Sequence, residues 1–194
     1  MENKIINIGT FSSINNQKEF FLDTNVLYWY VYPRYGVTKK GVKHQAQPYY
    51  DFVDKLVSDG NPIFTSVYNI SELLNVIEKN EFDIFKTLNP DTHYNIKDYR
   101  KDMQERKKLK KILQTTLNNI DNTCSVLDFS FTYCSLINFT KSFEQHRCDP
   151  FDFLILENCI KTSHTKIITD DNDFSTINGI TLFTANETTL ALLK

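Results

Sequence analysis

Short apolar runs along this chain alternate with longer amphipathic stretches. Runs of three to seven apolar or β-branched residues that stop at polar residues are typical of buried parallel strands. The sequence predicts such strands at 20–22, 61–65, 125–131, 166–169 and 180–183. The first nineteen residues are polar with scattered isoleucines, which is compatible with either an edge strand or a loosely held tail.

The stretches between these runs predict helices. We expect helices at 24–32 and 132–143, one that follows an N-cap at Ser66, one that starts at Asp149-Pro150, and a short one at the end. Pro48 is expected to open a further helix and Gly60 to close it. This alternation predicts an α/β fold, a three-layer, Rossmann-like parallel sheet with helices on both faces. We expect residues 1–19 to form an N-terminal extension to a domain over 20–194, with a charged helical insertion around 80–123.

Composition narrows the function classes. The 194 residues carry a net charge of -2, with 41% hydrophobic and 24% charged residues, which excludes a disordered chain. No apolar run is long enough to span a membrane and no signal-like segment opens the chain, so we expect a cytoplasmic protein. No glycine-rich phosphate-binding motif is present, which argues against dinucleotide binding and P-loop chemistry. The four cysteines are too far apart for a zinc knuckle and are expected to be reduced.

Acidic residues follow two predicted strands and open two predicted helices. Asp23 follows the strand at 20–22, and Asp170 and Asp171 follow the strand at 166–169. Glu72 and Asp152 lie near helix starts. Function in a parallel sheet collects where strands end, and oxygen ligands without His or Cys select Mg²⁺ or Mn²⁺. Such a site supports metal-assisted phosphodiester hydrolysis.

Each acid also has a structural interpretation. Asp23 could simply cap the helix that follows it, and Asp149 suits an N-cap better than a ligand because Pro150 then takes the first helical position. Asp152 lies at the third helical position, where an acid is favoured by the helix dipole. Glu72 lies off the apolar face of its helix and could be a solvated surface residue, while 170–173 could be only a turn.

Four fragments occur in the order found in one known family. They read FLDTNVL at 21–27, TS at 65–66 with SELL at 71–74, DPFDFLI at 149–155 and ITDDNDF at 168–174. Together they resemble the PIN-domain nucleases, which include the VapC-like toxins of toxin–antitoxin pairs. The resemblance extends in outline over 20–186. The chain departs from the family in being longer than a typical VapC toxin, and in the large residues of the helix after Asp152.

The resemblance implies the roles of individual residues. The acidic residues of the catalytic metal site would be Asp23, Glu72, Asp152 and Asp171, with Asp173 as an additional metal ligand. Asn25 and Thr169 would support the site by hydrogen bonding, and Asp170 competes with Asp171 for the fourth place. The resemblance further implies a Mg²⁺ or Mn²⁺ cofactor, RNA as the substrate and an antitoxin protein as a partner.

Two other segments bear on partners. Basic residues dominate 97–111, and Arg106, Lys107, Lys110 and Lys111 are candidates to bind RNA, the alternative being a solvated helix face. A basic loop at 33–47 is a second candidate.

The helix after Asp23 is rich in aromatic residues, at Tyr28, Trp29, Tyr30 and Tyr32. These residues predict a homodimer unless the N-terminal residues or the insertion cover them.

The sequence therefore leaves two classes of function open. The first is a Mg²⁺- or Mn²⁺-dependent endoribonuclease, with the toxin of a toxin–antitoxin pair as one role and DNA or RNA processing unrelated to toxins as another. The second is a non-catalytic PIN-like interaction module. The acid set favours the enzyme, since an inactive module has no reason to retain carboxylates that repel one another.

Overall fold

Six parallel strands form one sheet in the computed structural model, which describes residues 4–11, 18–35 and 42–193. Their order across the sheet is β1-β6-β5-β2-β3-β4. The strands are β1 Lys4–Asn7, β2 Phe20–Leu22, β3 Ile63–Ser66, β4 Ser125–Leu127, β5 Lys166–Ile168 and β6 Thr181–Thr184. The chain moves outward from β2 through β3 to β4, and later returns to β5, on the other side of β2. The predicted parallel α/β fold is confirmed.

Helices connect these strands in the described ranges. They are α1 Thr24–Val31, α2 Val42–Ser58, α3 Val67–Leu88, α4 Ile96–Lys101, α5 Met103–Thr123, α6 Tyr133–Ser142, α7 Pro150–Lys161 and α8 Glu187–Leu190. Short 3₁₀ turns occupy Phe143–Gln145, Asn172–Thr176 and Ala191–Leu193. No helix of the described ranges is long and apolar enough to cross a membrane.

The central strand β2 supplies both hydrophobic cores. Its side chains alternate between the two faces of the sheet, as the pleat of a strand requires. Phe20 and Leu22 pack with residues of α1, α2, α3 and α5, whereas Phe21 packs with Ile155 and Cys159 of α7. All three β2 side chains are buried, so the layers on either side hold the end of β2 in a fixed position.

Two predicted element boundaries are wrong. Helix α2 begins at Val42, six residues before Pro48, which lies inside it. The turn before Pro48 carries Ala46, which is buried on the same face as Tyr49, and this burial offsets the hydrogen bond that proline cannot donate. The strand predicted at 125–131 ends at Leu127. Phe129, beyond it, is buried in the core beside α7 without pairing in the sheet.

The structure shows what is formed by the N-terminal segment, the predicted insertion and part of the predicted basic loop. Strand β1 pairs in parallel with β6 and is an edge strand of the sheet, which is one of the two alternatives for the first nineteen residues. Residues 80–88 continue α3, and Tyr99, Leu109 and Ile120 of the following helices join the first core. Of the predicted basic loop at 33–47, residues 36–41 lie outside the described residues and 42–47 are helical.

Candidate active site

The candidate site lies at the topological switch point of the sheet, between β2 and β5. After β2 the chain adds β3 and β4 on one side of the sheet, and then β5 and β6 on the other side. Strands β2 and β5 are neighbours with Leu22 opposite Ile168, while β3 continues on one side and β6 on the other. The carboxyl ends of parallel strands at such a switch point leave a crevice for ligands. The segments that follow Leu22 and Ile168 begin at this crevice, and the backbone N–H of Asp23 donates to the carbonyl of Ile168 at 3.1 Å.

Four acidic side chains from four separate segments line one cleft there. The cleft has a volume of about 240 Å³. Asp23 follows β2 and Asp171 follows β5. Glu72 lies in α3, and Asp152 lies in the first turn of α7. These are the four acids that the resemblance assigned to the metal site. Thr24, Asn25, Tyr28, Trp29 and Val76 complete the lining.

Asp23 is the most deeply held of these acids. It occupies the N-cap position of α1, but its side chain makes no capping hydrogen bond, so capping does not explain it. Its Oδ2 accepts from the Thr169 hydroxyl at 2.7 Å, and its Oδ1 accepts from Nδ2 of Asn69 at 3.4 Å. Only 6% of Asp23 is exposed, so these donors fix one orientation of the carboxyl group.

Thr169 joins the ends of β2 and β5. Besides donating to Asp23, its Oγ1 accepts from the Asn25 amide at 3.1 Å and from the backbone N–H of Asp171 at 3.0 Å. Asn25 in turn accepts from the backbone N–H of Asp170 at 3.3 Å. Fully buried, Thr169 thus ties together the two strand ends that carry acids.

A second hydrogen-bond chain reaches the cleft from α3. The Ser66 hydroxyl donates to Oδ1 of the buried Asn69, whose Nδ2 also donates to Oγ1 of Thr24 at 3.0 Å. The Thr24 hydroxyl then donates to Oε2 of Glu72 at 2.7 Å. Asn69 and Thr24 were not predicted as site residues from the sequence. The one available signal was an amide residue three positions after the Ser66 N-cap, which also suits an ordinary helix start.

Asp149 caps a helix, whereas Asp152 lines the acidic cleft. Asp149 caps α7 by accepting from the backbone N–H groups of Phe151 and Asp152 at 2.7 and 2.9 Å, with Pro150 in the first turn. Asp152 faces the acidic cleft from the first turn of that helix. The expectation that Asp149 is an N-cap is therefore met, while Asp152 is left for the cleft.

Asp170 and Asp171 are consecutive in the chain, but their side chains line different pockets. Asp171 lines the acidic cleft, whereas the carboxylate of Asp170 accepts from the side chains of Tyr49, at 2.7 Å, and Gln45. Asp170 lies in another pocket, next to Asn186 and Glu187. Asp173 is not part of the cleft lining, and its backbone N–H donates to Oδ1 of Asp171 at 2.8 Å.

Burial and mutual repulsion raise the proton affinity of the cleft acids. Burial raises the pKa of Asp23 to about 7 against the hydrogen bond from Thr169, and the charges of Glu72 and Asp171 raise it further. Burial also raises the pKa of Asp152 to about 8, with contributions from Asp23, Asp149 and Asp171. The pKa of Asp171 is raised chiefly by burial. The cleft therefore favours whatever neutralises its negative charge.

The donor set suits a hard divalent cation. Carboxylate oxygens without His or Cys are the ligands that Mg²⁺ and Mn²⁺ prefer. In the described part of the chain no three or more His, Cys, Asp or Glu side chains are already arranged to hold a metal ion, so the acids border the cleft without forming a closed ligand shell. A cation with several bound waters fits such an open arrangement.

The candidate RNA-binding residues of α5 differ from one another. Arg106 pairs with Glu78 of α3 at 3.1 Å, and Arg100 of α4 pairs with the same carboxylate at 2.5 Å. The hydrogen bond from Arg100 lowers the pKa of Glu78. The two ion pairs of Glu78 connect α3 to α4 and α5. Lys107, Lys110 and Lys111 are exposed, and the described ranges give none of them an ion pair.

The aromatic cluster after Asp23 is largely packed within the chain. Tyr32 is buried, and Trp29 and Tyr30 lie 5.2 and 5.0 Å from the rings of Tyr49 and Tyr50 in α2. Helix α2 therefore covers Trp29 and Tyr30 in part. Asn80 and Glu81, at the start of the predicted insertion, contact the hydroxyl of Tyr32. The predicted homodimer stays a prediction, with fewer free rings to support it.

The fold and the cleft define an α/β protein with an acidic site at the switch point of a parallel sheet. The sequence profile of the PIN domain matches residues 20–180, so the chain belongs to the PIN-domain family of nucleases. No curated protein sequence matches it.

Two solved structures are similar in fold. One is VapBC2 from Rickettsia felis bound to a DNA fragment from their promoter, with 17% identity, a TM-score of 0.51, and coverage of 85% of this chain and 97% of that one. The other is FitAcB from Neisseria gonorrhoeae, with 15% identity, a TM-score of 0.49, and coverage of 87% and 99%. At these identities the likeness is one of fold.

Proposed function

We propose that this protein is a Mg²⁺- or Mn²⁺-dependent endoribonuclease that hydrolyses RNA phosphodiester bonds at the acidic cleft. One observation carries the proposal: four carboxyl groups from separate segments face one cleft at a sheet switch point. Burial and mutual charge oppose their ionisation, and a divalent cation removes that opposition. The same arrangement is what metal-assisted phosphodiester hydrolysis requires.

The cleft acids have two different tasks in this proposal. Asp23, Asp152 and Asp171 would hold the cation, which would supply a lowered pKa for a bound water and neutralisation of negative charge on a phosphoryl oxygen. Thr169 and Asn69 keep the Asp23 carboxylate in one orientation. Hydrogen bonds of this kind hold ligands in place and affect metal affinity.

Glu72 differs from the other cleft acids in its exposure to solvent. Its Oε2 is engaged by the Thr24 hydroxyl, which leaves Oε1 to accept a proton from attacking water. Asp173 does not line the cleft and acts on Asp171 through its backbone N–H, so we place it outside the ligand set.

The RNA is held by the exposed lysines of α5. Lys107, Lys110 and Lys111 are available to phosphates, whereas Arg106 is committed to Glu78. Electrostatic contacts of this type add affinity without sequence preference. The chemical step and the binding of the RNA backbone are thereby assigned to different segments.

The proposal extends to a cytoplasmic toxin with an antitoxin protein as its partner. Membership of the PIN-domain family and a fold shared with VapBC2 over 97% of that chain support it. Inducing the gene alone should arrest growth, and co-expression of a small protein encoded beside it should restore growth. Growth that continues despite an active nuclease would instead favour an RNA-processing role.

A matched pair of variants tests the nuclease assignment. Asp171→Asn should lower the rate of RNA cleavage in Mg²⁺ or Mn²⁺ by more than about 100-fold, beyond the 10–100-fold typical of losing a supporting partner. Asp170→Asn makes the same change one residue away, outside the cleft, and should retain most activity. Circular dichroism checks that both variants fold. Equal activity of the two variants would reject the cleft as the active site, and RNA binding by a wild-type protein that cleaves nothing would favour the non-catalytic module.

A further inference from the structure

A second pocket, lined mainly by aromatic rings, lies between α1, the turn after it and α2. Its volume is about 410 Å³, within the range of small-ligand sites. The rings around it include Trp29, Tyr30, Tyr35 and Tyr50, with Pro33 and Gln47 between them. We call it the aromatic pocket.

The aromatic pocket adjoins the acidic cleft through one shared side chain. Trp29 lines both the cleft and the aromatic pocket. A polymer bound with one phosphodiester at the acids therefore has a nearby unit beside this pocket. An isolated surface groove would lack that link to the candidate active site.

The lining suits a flat ring rather than an aliphatic side chain. Among the residues that the structure describes, none that lines the pocket is a Leu, Ile, Val or Met. The rings of Tyr30 and Tyr50 lie 5.0 Å apart at 40°, and Tyr50 is 45% exposed, so ring surface faces solvent. Unpaired bases of single-stranded RNA are bound by stacking on such side chains.

One polar group in the lining adds a contact for a base edge. Gln47 donates through Nε2 to Asp51 at 2.7 Å, which sets the direction of its amide. Its Oε1 can then accept from an exocyclic amino group.

A partly buried ion pair between Arg34 and Glu81 holds the pocket wall in place. Glu81 of α3 is 5% exposed; its Oε2 accepts from Arg34 at 2.5 Å and its Oε1 accepts from the Tyr32 hydroxyl. These contacts fix the turn after α1 against α3. A wall fixed in advance reduces the ordering entropy lost when a ligand binds.

We propose that the aromatic pocket is a subsite for one unpaired nucleobase of a single-stranded RNA substrate, and that stacking there selects which phosphodiester reaches the acids. The proposal rests on the proposed function, because it identifies the form of RNA that the cleft would take. It assigns to Trp29, Tyr30 and Tyr50 a part in substrate binding that the acids do not perform.

The sole tryptophan of the chain makes the test direct. Trp29 fluorescence is titrated, in excess EDTA so that no metal-dependent cleavage occurs, with a six-residue single-stranded RNA and with an abasic analogue of the same length. Stacking should quench Trp29 with the RNA, and the abasic analogue should bind about 5- to 150-fold more weakly, which corresponds to about 1–3 kcal/mol per stacked base. Equal quenching by both, or quenching by neither, overturns the proposal and leaves the pocket to a protein partner.

A pair of tyrosine variants locates the effect. Tyr50→Leu should weaken binding of the RNA at least about 5-fold and reduce its advantage over the abasic analogue. Tyr133→Leu, at a tyrosine that is 77% exposed on α6, is the matched control and should leave both affinities unchanged. Equal effects of the two variants contradict a base subsite. Cleavage is measured separately, so base-dependent quenching by an inactive protein would reject the nuclease proposal while retaining the subsite.

Discussion

Replacing Asp152 with Asn should stabilise the metal-free protein at alkaline pH. A pKa that rises from 3.8 to about 8 corresponds to about 6 kcal/mol of free energy that opposes ionisation in the folded state. The cleft is open to water, which screens this charge. We therefore expect only about 2 kcal/mol of this energy to appear in the free energy of unfolding. Asn has nearly the same volume and no charge. The Asp152→Asn protein should therefore unfold with a free energy about 2 kcal/mol higher than that of the wild type at pH 8.5 in EDTA.

The pH dependence gives the sign of the effect. The folded protein keeps a proton on Asp152 up to about pH 8, whereas the unfolded chain releases it near its ordinary value of 3.8. Between these values the folded state binds more protons, so wild-type stability falls as pH rises through the window. The advantage of Asp152→Asn should be smallest near pH 4 and grow towards pH 8.5.

Urea unfolding followed by circular dichroism measures this difference. Asp121→Asn, at an exposed position of α5, is the control and should change stability by less than about 0.5 kcal/mol at each pH. Adding Mn²⁺ should stabilise the wild type more than Asp152→Asn, since a ligand that binds only the folded state raises its stability. If Asp152→Asn is no more stable than the wild type at pH 8.5 in EDTA, the account of a strained acidic cleft is wrong.

The Thr169 hydroxyl, the exposed lysines of α5 and the aromatic residues of α1 each give an outcome that can be measured. Thr169→Val removes the hydroxyl that donates to Asp23 and should lower the cleavage rate about 10–100-fold with the fold retained by circular dichroism, so an unchanged rate would deny Thr169 a supporting role. Replacing Lys107, Lys110 and Lys111 together with Gln should reduce the slope of log affinity against log salt for single-stranded RNA by about 2, with turnover at saturating RNA preserved, whereas an unchanged slope would favour a solvated helix face. Light scattering should find a mass near twice 22.7 kDa, and a mass near 22.7 kDa at every concentration would refute the homodimer.

The position of the acidic cleft in the fold could be predicted because it depends on strands. A buried run that ends at Asp23 and another that ends before Asp170 are visible in the sequence, and parallel strands bring their carboxyl ends to one edge. The division between Asp170 and Asp171 could not be predicted. It depends on Tyr49 and Gln45, more than 100 residues earlier in the chain, which take up the Asp170 carboxylate.

Contacts between helices were the least predictable part of the site. Asn69 donates to Asp23 from a different helix, and a lone asparagine in a first helical turn does not indicate a distant partner. Nothing in the sequence distinguishes Arg106 from the basic residues beside it, but in the structure it forms an ion pair with Glu78 of α3. The start of α2 was misplaced because Pro48 is a strong local signal, and burial of the preceding turn outweighed it.

Cleavage of a 5′-labelled single-stranded RNA by the wild type and by Asp152→Asn, each in Mn²⁺ and in excess EDTA, would show whether the acidic cleft catalyses metal-dependent hydrolysis. We expect product for the wild type in Mn²⁺, and a rate lower by more than about 100-fold in each of the other three reactions. Wild-type cleavage that is undiminished in EDTA would reject a metal-dependent mechanism, and cleavage by Asp152→Asn at the wild-type rate in Mn²⁺ would reject the acidic cleft as the active site.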